Sequence, residues 1–407
     1  MGQIVRNGQQ FETGITADHR GQLLQSGPDS GLVDAFGRQR VSEPFTVFDS
    51  INRFDRGLDQ WNETVAGSGT ATHLANESSV RLRVTASGDS VLRRTRRRFP
   101  YQAGKSLCVM QSFVGAPLAA GLVQEVGYFD NNNGIILRAN GLELQFVIRS
   151  LASGSMGEVV VSQNEWNIDT FPSLDFSKAN IFTTDLEWLG VGRVRCGFVV
   201  DGEVRYCHEF NHANSIDSVY MTTATLPLSY RLAATATASG TMKEICCSVM
   251  SEAGYEPEGP TYTTGRGVDN FASISTETMV AAIRMVSGRT ENVIMPSQVD
   301  ATLGGNPASN VAGQWRLRLN PTISGTWVPA NNGRGNVEVM SSGTVSGGTV
   351  IDSGLFGSRS TAVFEPSSAL ALSLGVDANG NSDVIALTLQ CSSSENATGL
   401  LGWRELF

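Results

Sequence analysis

Charge is scarce in this chain. Only 17% of its 407 residues are Asp, Glu, Lys or Arg, and only four are histidine. So few histidines leave little room for Ser–His or Cys–His nucleophile pairs. The net charge of −9 argues against general affinity for nucleic acid, which requires a basic surface. No apolar run approaches the ~20 residues of a membrane span. The opening MGQIVRNGQQFETG lacks the apolar core of a signal peptide, and Arg6 breaks the myristoylation pattern, so synthesis in the cytosol is expected. The six cysteines (Cys108, Cys196, Cys207, Cys246, Cys247, Cys391) form no C-x-x-C pair. Adjacent Cys246 and Cys247 would point to opposite faces of a strand, and free, mostly buried thiols are expected. A P-loop, a G-x-S-x-G elbow and a Rossmann fingerprint are all missing.

What is abundant is turn chemistry. The chain carries 44 glycines, and Ser, Thr and Asn punctuate short apolar runs. That is the composition of an all-β protein. Residues 1–40 have glycine in every run and only isolated apolar anchors (Ile4, Phe11, Leu23, Leu24, Leu32, Val33, Phe36), too few to fold alone. An extended N-terminal arm ordered against a neighbouring subunit is expected there. From Val41 the strand pattern sets in, and TMKEICCSVM closes a first domain at 41–250. Residues 251–267, rich in Gly, Pro and Glu, read as a linker. Residues 268–407 hold further strands at the spacing of a second sandwich and end in an apolar GLLGWRELF that should dock on something. The expected fold is an N-terminal extended arm, a jelly-roll or lectin-like β-sandwich, and a second, smaller β-sandwich.

The most organised stretch runs from Phe176 to Tyr230. In Arg193–Val200 the even positions Val194, Cys196, Phe198 and Val200 are apolar, and after Asp201-Gly202 the bulky residues Val204, Tyr206, His208 and Phe210 are again even. The period of two predicts a hairpin. A two-residue Asp201-Gly202 loop would mix the faces. A three-residue Val200-Asp201-Gly202 loop with a glycine bulge aligns them, setting Phe198 opposite Val204, Cys196 opposite Tyr206, Val194 opposite His208 and Arg193 opposite Glu209. A second hairpin is predicted around an Asn140-Gly141 type I′ turn, with Ile135 and Leu137 opposite Leu144 and Phe146. Two further strands, around Arg81 and Leu92, are expected to join through a Ser87-Gly88-Asp89 turn.

Four constellations could carry chemistry. His208-Glu209-Phe210-Asn211-His212 matches H-E-x-x-H, but zinc binding needs a helix to bring both histidines to one face. On a strand they would lie about 13 Å apart, and Ser218 stands where a third metzincin ligand would be. Asp185 and Glu187 alternate on one face of IFTTDLEWLG, as a glycosidase acid–nucleophile pair would, although acids two apart are common on any solvated strand. Arg93, Arg94, Arg96, Arg97 and Arg98 read as an edge or interface that pairs with carboxylates. Asp130 to Gly134 and Asp377 to Asp383 resemble calcium loops, but in the second Ser382 replaces the glycine and Thr388 the glutamate, which leaves ordinary Asx turns. No catalytic, cofactor-binding or metal-binding residue is assigned, and a protein that is not an enzyme is expected.

Several blocks resemble a family of tailed-bacteriophage virion structural proteins: GRQRVSEPFTVFDS (37–50), GSGTATHLANESSVRLRV (67–84), RRTRRRFPYQAGKS (93–106) and WLGVGRVRCGFVVDGEVRYCHEFNHANSIDSVYMTTATLPLSY (188–230). The resemblance spans about residues 37–255 and implies a role in virion assembly, as a tail, fibre or head-decoration component, without supplying catalytic residues. It implies a virion location after assembly in the host cytoplasm. The implied partners are other virion proteins (capsid, portal, tail or baseplate) and copies of itself, a homotrimer by analogy, with no nucleic acid and no membrane. The alternative is a carbohydrate-binding receptor-recognition protein that takes a host surface glycan on a lectin-like sandwich.

Overall fold

A computed structural model describes residues 34–35, 40, 43–267, 271–304, 311–357, 372–377 and 379–406, and the backbone of four short N-terminal strands. The chain is all-β; among the described residues the only helical elements are three single 3-10 turns. Among the described residues the N-terminal strands pair with one another and no others, Gly2–Arg6 with Gln9–Thr13 and Thr16–Ala17 with Leu23–Leu24. Anchors Leu32, Val33 and Phe36 lie outside the described residues.

Two antiparallel sheets make the first sandwich. One runs, in spatial order, Glu203–Phe210, Val194–Val200, Ala179–Leu186, Leu107–Val114, Gly240–Ser251, Ser79–Val84, Thr70–Leu74, with Phe45–Ile51 paired along the second half of Gly240–Ser251. The other runs Gly157–Ser162, Glu143–Ser150, Gly134–Asn140, Leu122–Phe129, Leu228–Ala234, Ser90–Thr95, Trp61–Ala66. Alternation buries one face of each sheet against the other. Leu107, Val109, Phe113, Phe182, Leu186, Val194 and Phe198 meet Val126, Tyr128, Ile135, Leu137, Phe146, Tyr230 and Leu232 in a continuous core. Arg93 crosses this interior. Its guanidinium pairs with buried Glu244 of the facing sheet and with Glu63 at 2.7 Å, and lies over the Trp61 ring at 4.6 Å.

The registers depart from expectation in instructive ways. In the hairpin Val194–Val200/Glu203–Phe210 the loop is the two-residue Asp201-Gly202, both left-handed (φ 52° and 82°), with Val200 opposite Glu203. The bulge sits further along, at Cys207, where the pairing steps from Gly197↔Tyr206 to Cys196↔His208. Beyond it Val194 meets Phe210, apolar against apolar. Nearer the turn Tyr206 is turned to the outer face instead of the core. Backbones close up at the bulge: a Cβ on Gly197 would stand 2.2 Å from the Arg205 carbonyl oxygen. In the second hairpin Asn140 pairs with Glu143, so the loop is Gly141-Leu142 with only the glycine left-handed (φ 62°), and Leu137 and Ile135 meet Phe146 and Ile148. The faces match the expectation while the pairing has slid along the strand. The turn at Ser87-Gly88-Asp89 joins strands of different sheets, and the Asp89 carboxylate fastens it by accepting the backbone N–H groups of Ser68, Thr85 and Ala86.

The second sandwich packs Thr261–Gly265 and Ala272–Ile274, both on Glu395–Leu406, and Val293–Leu303 on its other side, against a six-stranded sheet ordered Val328–Pro329, Val337–Met340, Thr278–Met285, Val384–Cys391, Ala312–Leu319, Thr349–Gly357. The segment read as a linker therefore contributes a strand, Thr261–Gly265. The apolar ending docks through residues 399–406, which belong to the central strand of their sheet, with Trp403 buried. All six cysteines are unbridged, five of them buried.

Candidate functional site

The densest polar constellation lies on the outer face of the eight-stranded sheet. In Ala179–Leu186, Phe182 and Leu186 join the core, so Thr183 and Asp185 must face outward. Asp185 is nevertheless 0% exposed. Its cross-strand partner Arg195 donates to Oδ2 at 2.5 Å and lies over the Tyr206 ring at 4.1 Å; the Tyr206 hydroxyl donates to the same oxygen at 2.8 Å. Ser106 Oγ donates to Oδ1 at 2.7 Å. The cover comes from the N-terminal segment. Arg40 donates to Asp185 Oδ2 at 2.5 Å and pairs with Glu252 at 3.1 Å. Ala35 N–H donates to Ser106 Oγ at 3.3 Å, and both Nε and Nη2 of Arg193 donate to the Ala35 carbonyl at 3.0 and 2.8 Å.

The electrostatics follow from this closure. Burial works against the charge on Arg40, but Asp185 foremost, then Tyr206, Cys108 and Glu252, hold its pKa above the ordinary value. Burial pushes the Cys108 thiol up to about 12 and raises Tyr206, with the charge of Asp185 adding to both. Burial also raises Glu252. The cluster is therefore a set of non-nucleophilic groups that bind a chain segment. The bulge at Cys207 is what turns Tyr206 toward it.

The candidates read from sequence fall in different places. Asp185 and Glu187 do not share an open face: the strand ends at Leu186, and Glu187 accepts the Arg193 N–H at 2.9 Å in the loop that follows. Sealed under Arg40, Asp185 reaches no substrate in this arrangement. His208 is on a strand and its Nδ1 accepts the Asn167 N–H at 3.2 Å, while His212 lies beyond the strand end with Nδ1 at 2.7 Å from the Gly192 carbonyl and its ring stacked on Tyr220 at 4.1 Å. Glu209 pairs with Arg193 at 3.4 Å. The three motif residues thus serve three separate contacts, and among the described residues no group of three or more acidic, His or Cys side chains is placed to hold a metal.

The arginine run is built inward. Ser90–Thr95 is not an edge but lies between Leu228–Ala234 and Trp61–Ala66. Arg94 donates to Ser229 Oγ at 3.0 Å, Arg96 pairs with Asp383 of the second sandwich, and Arg98 pairs with Asp130 at 2.7 Å. The two Asp/Asn loops close on themselves: Asp130 Oδ1 accepts the N–H groups of Asn132 and Asn133, and Asp377 Oδ1 those of Asn379 and Asn381. What the sequence did not reveal is the meeting of Arg40, Ser106, Asp185, Arg195, Tyr206 and Glu252. Only the Asp185–Arg195 pair carried a signal, as opposite charges on the outward face of neighbouring strands.

No protein-family model matches the chain, and no curated protein matches it. Solved structures similar to it include a glycosyl hydrolase family protein from Mycobacterium fortuitum (11% identity, TM-score 0.36, 50% of this chain and 99% of that one). Another is the laminarinase catalytic domain from Thermotoga maritima (13%, TM-score 0.35, 51% and 98%). A third is the receptor-binding domain of botulinum neurotoxin type G (8%, TM-score 0.31), where the match takes in 50% of this chain and only 47% of the toxin domain. With glycoside hydrolases among these matches, the expectation that the chain is not an enzyme does not stand and is withdrawn. At such scores the likeness assigns no activity or substrate.

Two outcomes are expected. Asp185→Ala leaves Arg195 buried without its carboxylate partner and Arg40 with Glu252 alone, and should cost about 3–5 kcal/mol in urea denaturation. Arg40→Ala leaves Arg195 on Asp185, so it should cost less while speeding proteolytic release of the N-terminal segment; equal losses would contradict this geometry. Burial depresses His208 from 6.5 to about 4. The folded state then holds it neutral while the unfolded chain takes up a proton below pH 6.5. Its contribution is complete above pH 6.5 and declines as pH falls toward 4, by up to about 3 kcal/mol. A His208→Gln variant should show a flatter stability profile across that window.

Proposed function

We propose that the chain is a structural component of a tailed-bacteriophage virion that joins the particle through its N-terminal arm. The observation that carries this reading is the anchoring of Ala35 and Arg40. Two carboxylates (Asp185 and Glu252), Arg193 and Ser106 of the sandwich hold the root of the arm. Upstream of that root, the strands Gly2–Arg6 and Gln9–Thr13, and Thr16–Ala17 and Leu23–Leu24, pair with each other and, among the described residues, with neither sandwich sheet. A rigid root with a self-paired extension is the geometry of a tether between subunits. The family resemblance over residues 37–255 supports the same reading, and it favours copies of this chain and other virion proteins as partners, in a homotrimer by analogy. Deleting residues 1–33, just ahead of the anchor, should leave a folded protein with unchanged urea midpoint that no longer enters virions. Normal incorporation of the truncated protein would overturn the proposal.

A second reading is recognition of a host surface glycan. It is favoured by a cleft of about 440 Å³ between the sandwiches, lined by Arg94, Arg98, Asp130, Glu291, Asp377 and Asn379 among others. Such a dense set of donors and acceptors suits a hydroxyl-rich ligand. On a glycan array the protein should bind selected glycans and lose them on Asn379→Ala; an array without signal removes this reading.

A further inference from the structure

The two sheets of the first sandwich end in edges that are treated very differently. The edge Glu203–Phe210 is capped: Ile168 and Asp169 N–H both donate to the Cys207 carbonyl at 3.0 Å, and the Asn167 side chain bonds both the N–H and the C=O of Glu209. The edge Gly157–Ser162 of the other sheet pairs only with Glu143–Ser150. Among the described residues nothing takes up the outward backbone groups of Gly157–Val160. This edge carries no proline or lysine, and its one charge, Glu158, is drawn back onto Arg138 and Arg149. Val159 and Val160 are 58% and 43% exposed and Met156 53%. Beside it runs a groove of about 350 Å³, walled by Ile148 and Val159 on one side and His212, Ile216, Val219 and Tyr220 on the other, its lining mostly apolar. Uncovered apolar edges invite strand addition, and soluble chains seldom leave one bare.

The chain also contains strands that lack a sheet. Gly2–Arg6 and Gln9–Thr13 pair with each other, Ile4 opposite Phe11, and among the described residues with no other strand. A lone two-stranded hairpin is marginal in water and gains most by joining a larger sheet. Its root is held at Arg193, next to Gly192, whose carbonyl contacts His212 in the groove wall. The stretch from Leu24 to Asp34 could extend about 35 Å. The single chain leaves its own edge open despite that reach.

We propose that the hairpin of residues 2–13 from a second copy of this chain adds to the edge Gly157–Ser162, with its apolar residues in the adjoining groove. This rests on the reading of the arm as an assembly tether and names its receptor. The contact is heterologous, arm of one copy to edge of the next, so it closes only as a ring. The test is hydrogen–deuterium exchange with sedimentation velocity on the full chain, on Val160→Lys and on Phe11→Asp. The wild type should be a closed oligomer in which the Gly157–Val160 amides exchange about tenfold more slowly than in either variant, both of which should be monomers. Edge amides that exchange equally fast in all three overturn the proposal. So does protection that persists in the monomer on dilution, which would mean the chain's own arm occupies the edge, and so does a Val160→Lys protein that remains oligomeric and protected. A truncation that blocks virion entry while the edge is unprotected in the wild type would sink this inference and leave the virion reading standing.

Discussion

A carboxylate shut away from water has to be met by positive charge and hydrogen bonds, or it unfolds the region around it. Asp185 is that group here. Its two oxygens receive Arg195, Arg40, Tyr206 and Ser106, and the closure is complete only because Arg40 arrives from outside the sheet. The requirement makes the root of the N-terminal segment part of the fold rather than an appendage. It also decides the chemistry of the face. An aspartate in the middle of a sheet face, beside a tryptophan-containing strand end, has the residue types of a hydrolytic site, but with every oxygen engaged it serves as an anchor.

The same constraint explains where the sequence was readable. Alternation in Val194–Val200 and Glu203–Phe210 identified the hairpin and most of its core residues, because burial against the facing sheet enforces a period of two. It also implied that one extra residue must be absorbed somewhere for the apolar faces to agree. Where the extra residue goes is not written locally. A bulge at the turn and a bulge at Cys207 both set apolar against apolar beyond it, but between the two Val204 and Tyr206 change faces and the pairing shifts by two residues, Val194 meeting Phe210 instead of His208. Tyr206 bonds Asp185, whose other partners are remote in sequence, so the choice is made by tertiary contact. Arg40 and Glu252 were illegible for the same reason: neither sits in a patterned run, and each matters only through a group far along the chain.

The arginine run shows a second limit. Five arginines in six positions suggested an exposed basic strip or interface, since buried arginine is rare. The chain instead distributes them over separate partners. Arg93 goes to Glu244 and Glu63 inside the sandwich, Arg94 to Ser229, Arg96 to Asp383 in the other sandwich, and Arg98 to Asp130. Strand alternation sends Arg93 and Arg94 to opposite faces, and the strand ends at Thr95, so Arg96, Arg97 and Arg98 leave it in a bend toward other partners and the charge run becomes several unrelated contacts. One of these ties the two sandwiches together, and Val376 N–H donating to the Arg96 carbonyl reinforces it. Linear charge density was thus a poor guide to surface potential.

The treatment of sheet edges carries the functional argument furthest. Natural sheets protect their edges because an open one pairs with whatever strand comes by. In this sandwich the loop through Asn167 places four backbone and side-chain contacts on Glu203–Phe210, while among the described residues nothing takes up the outward backbone groups of Gly157–Val160, where Val159 and Val160 are exposed. A chain that caps one edge with such care and leaves the other apolar and bare is most simply explained if the bare edge is covered in the assembled state. The strand pair Gly2–Arg6 and Gln9–Thr13, which joins no larger sheet among the described residues, belongs to the arm, rooted beside the wall of the adjoining groove by the Arg193 contact to Ala35. Under the proposed arm exchange, anchor, tether and open edge would belong to one design: the buried ion pair at Asp185 fixes where the arm leaves, and the sheet edge would receive the arm of a neighbouring copy.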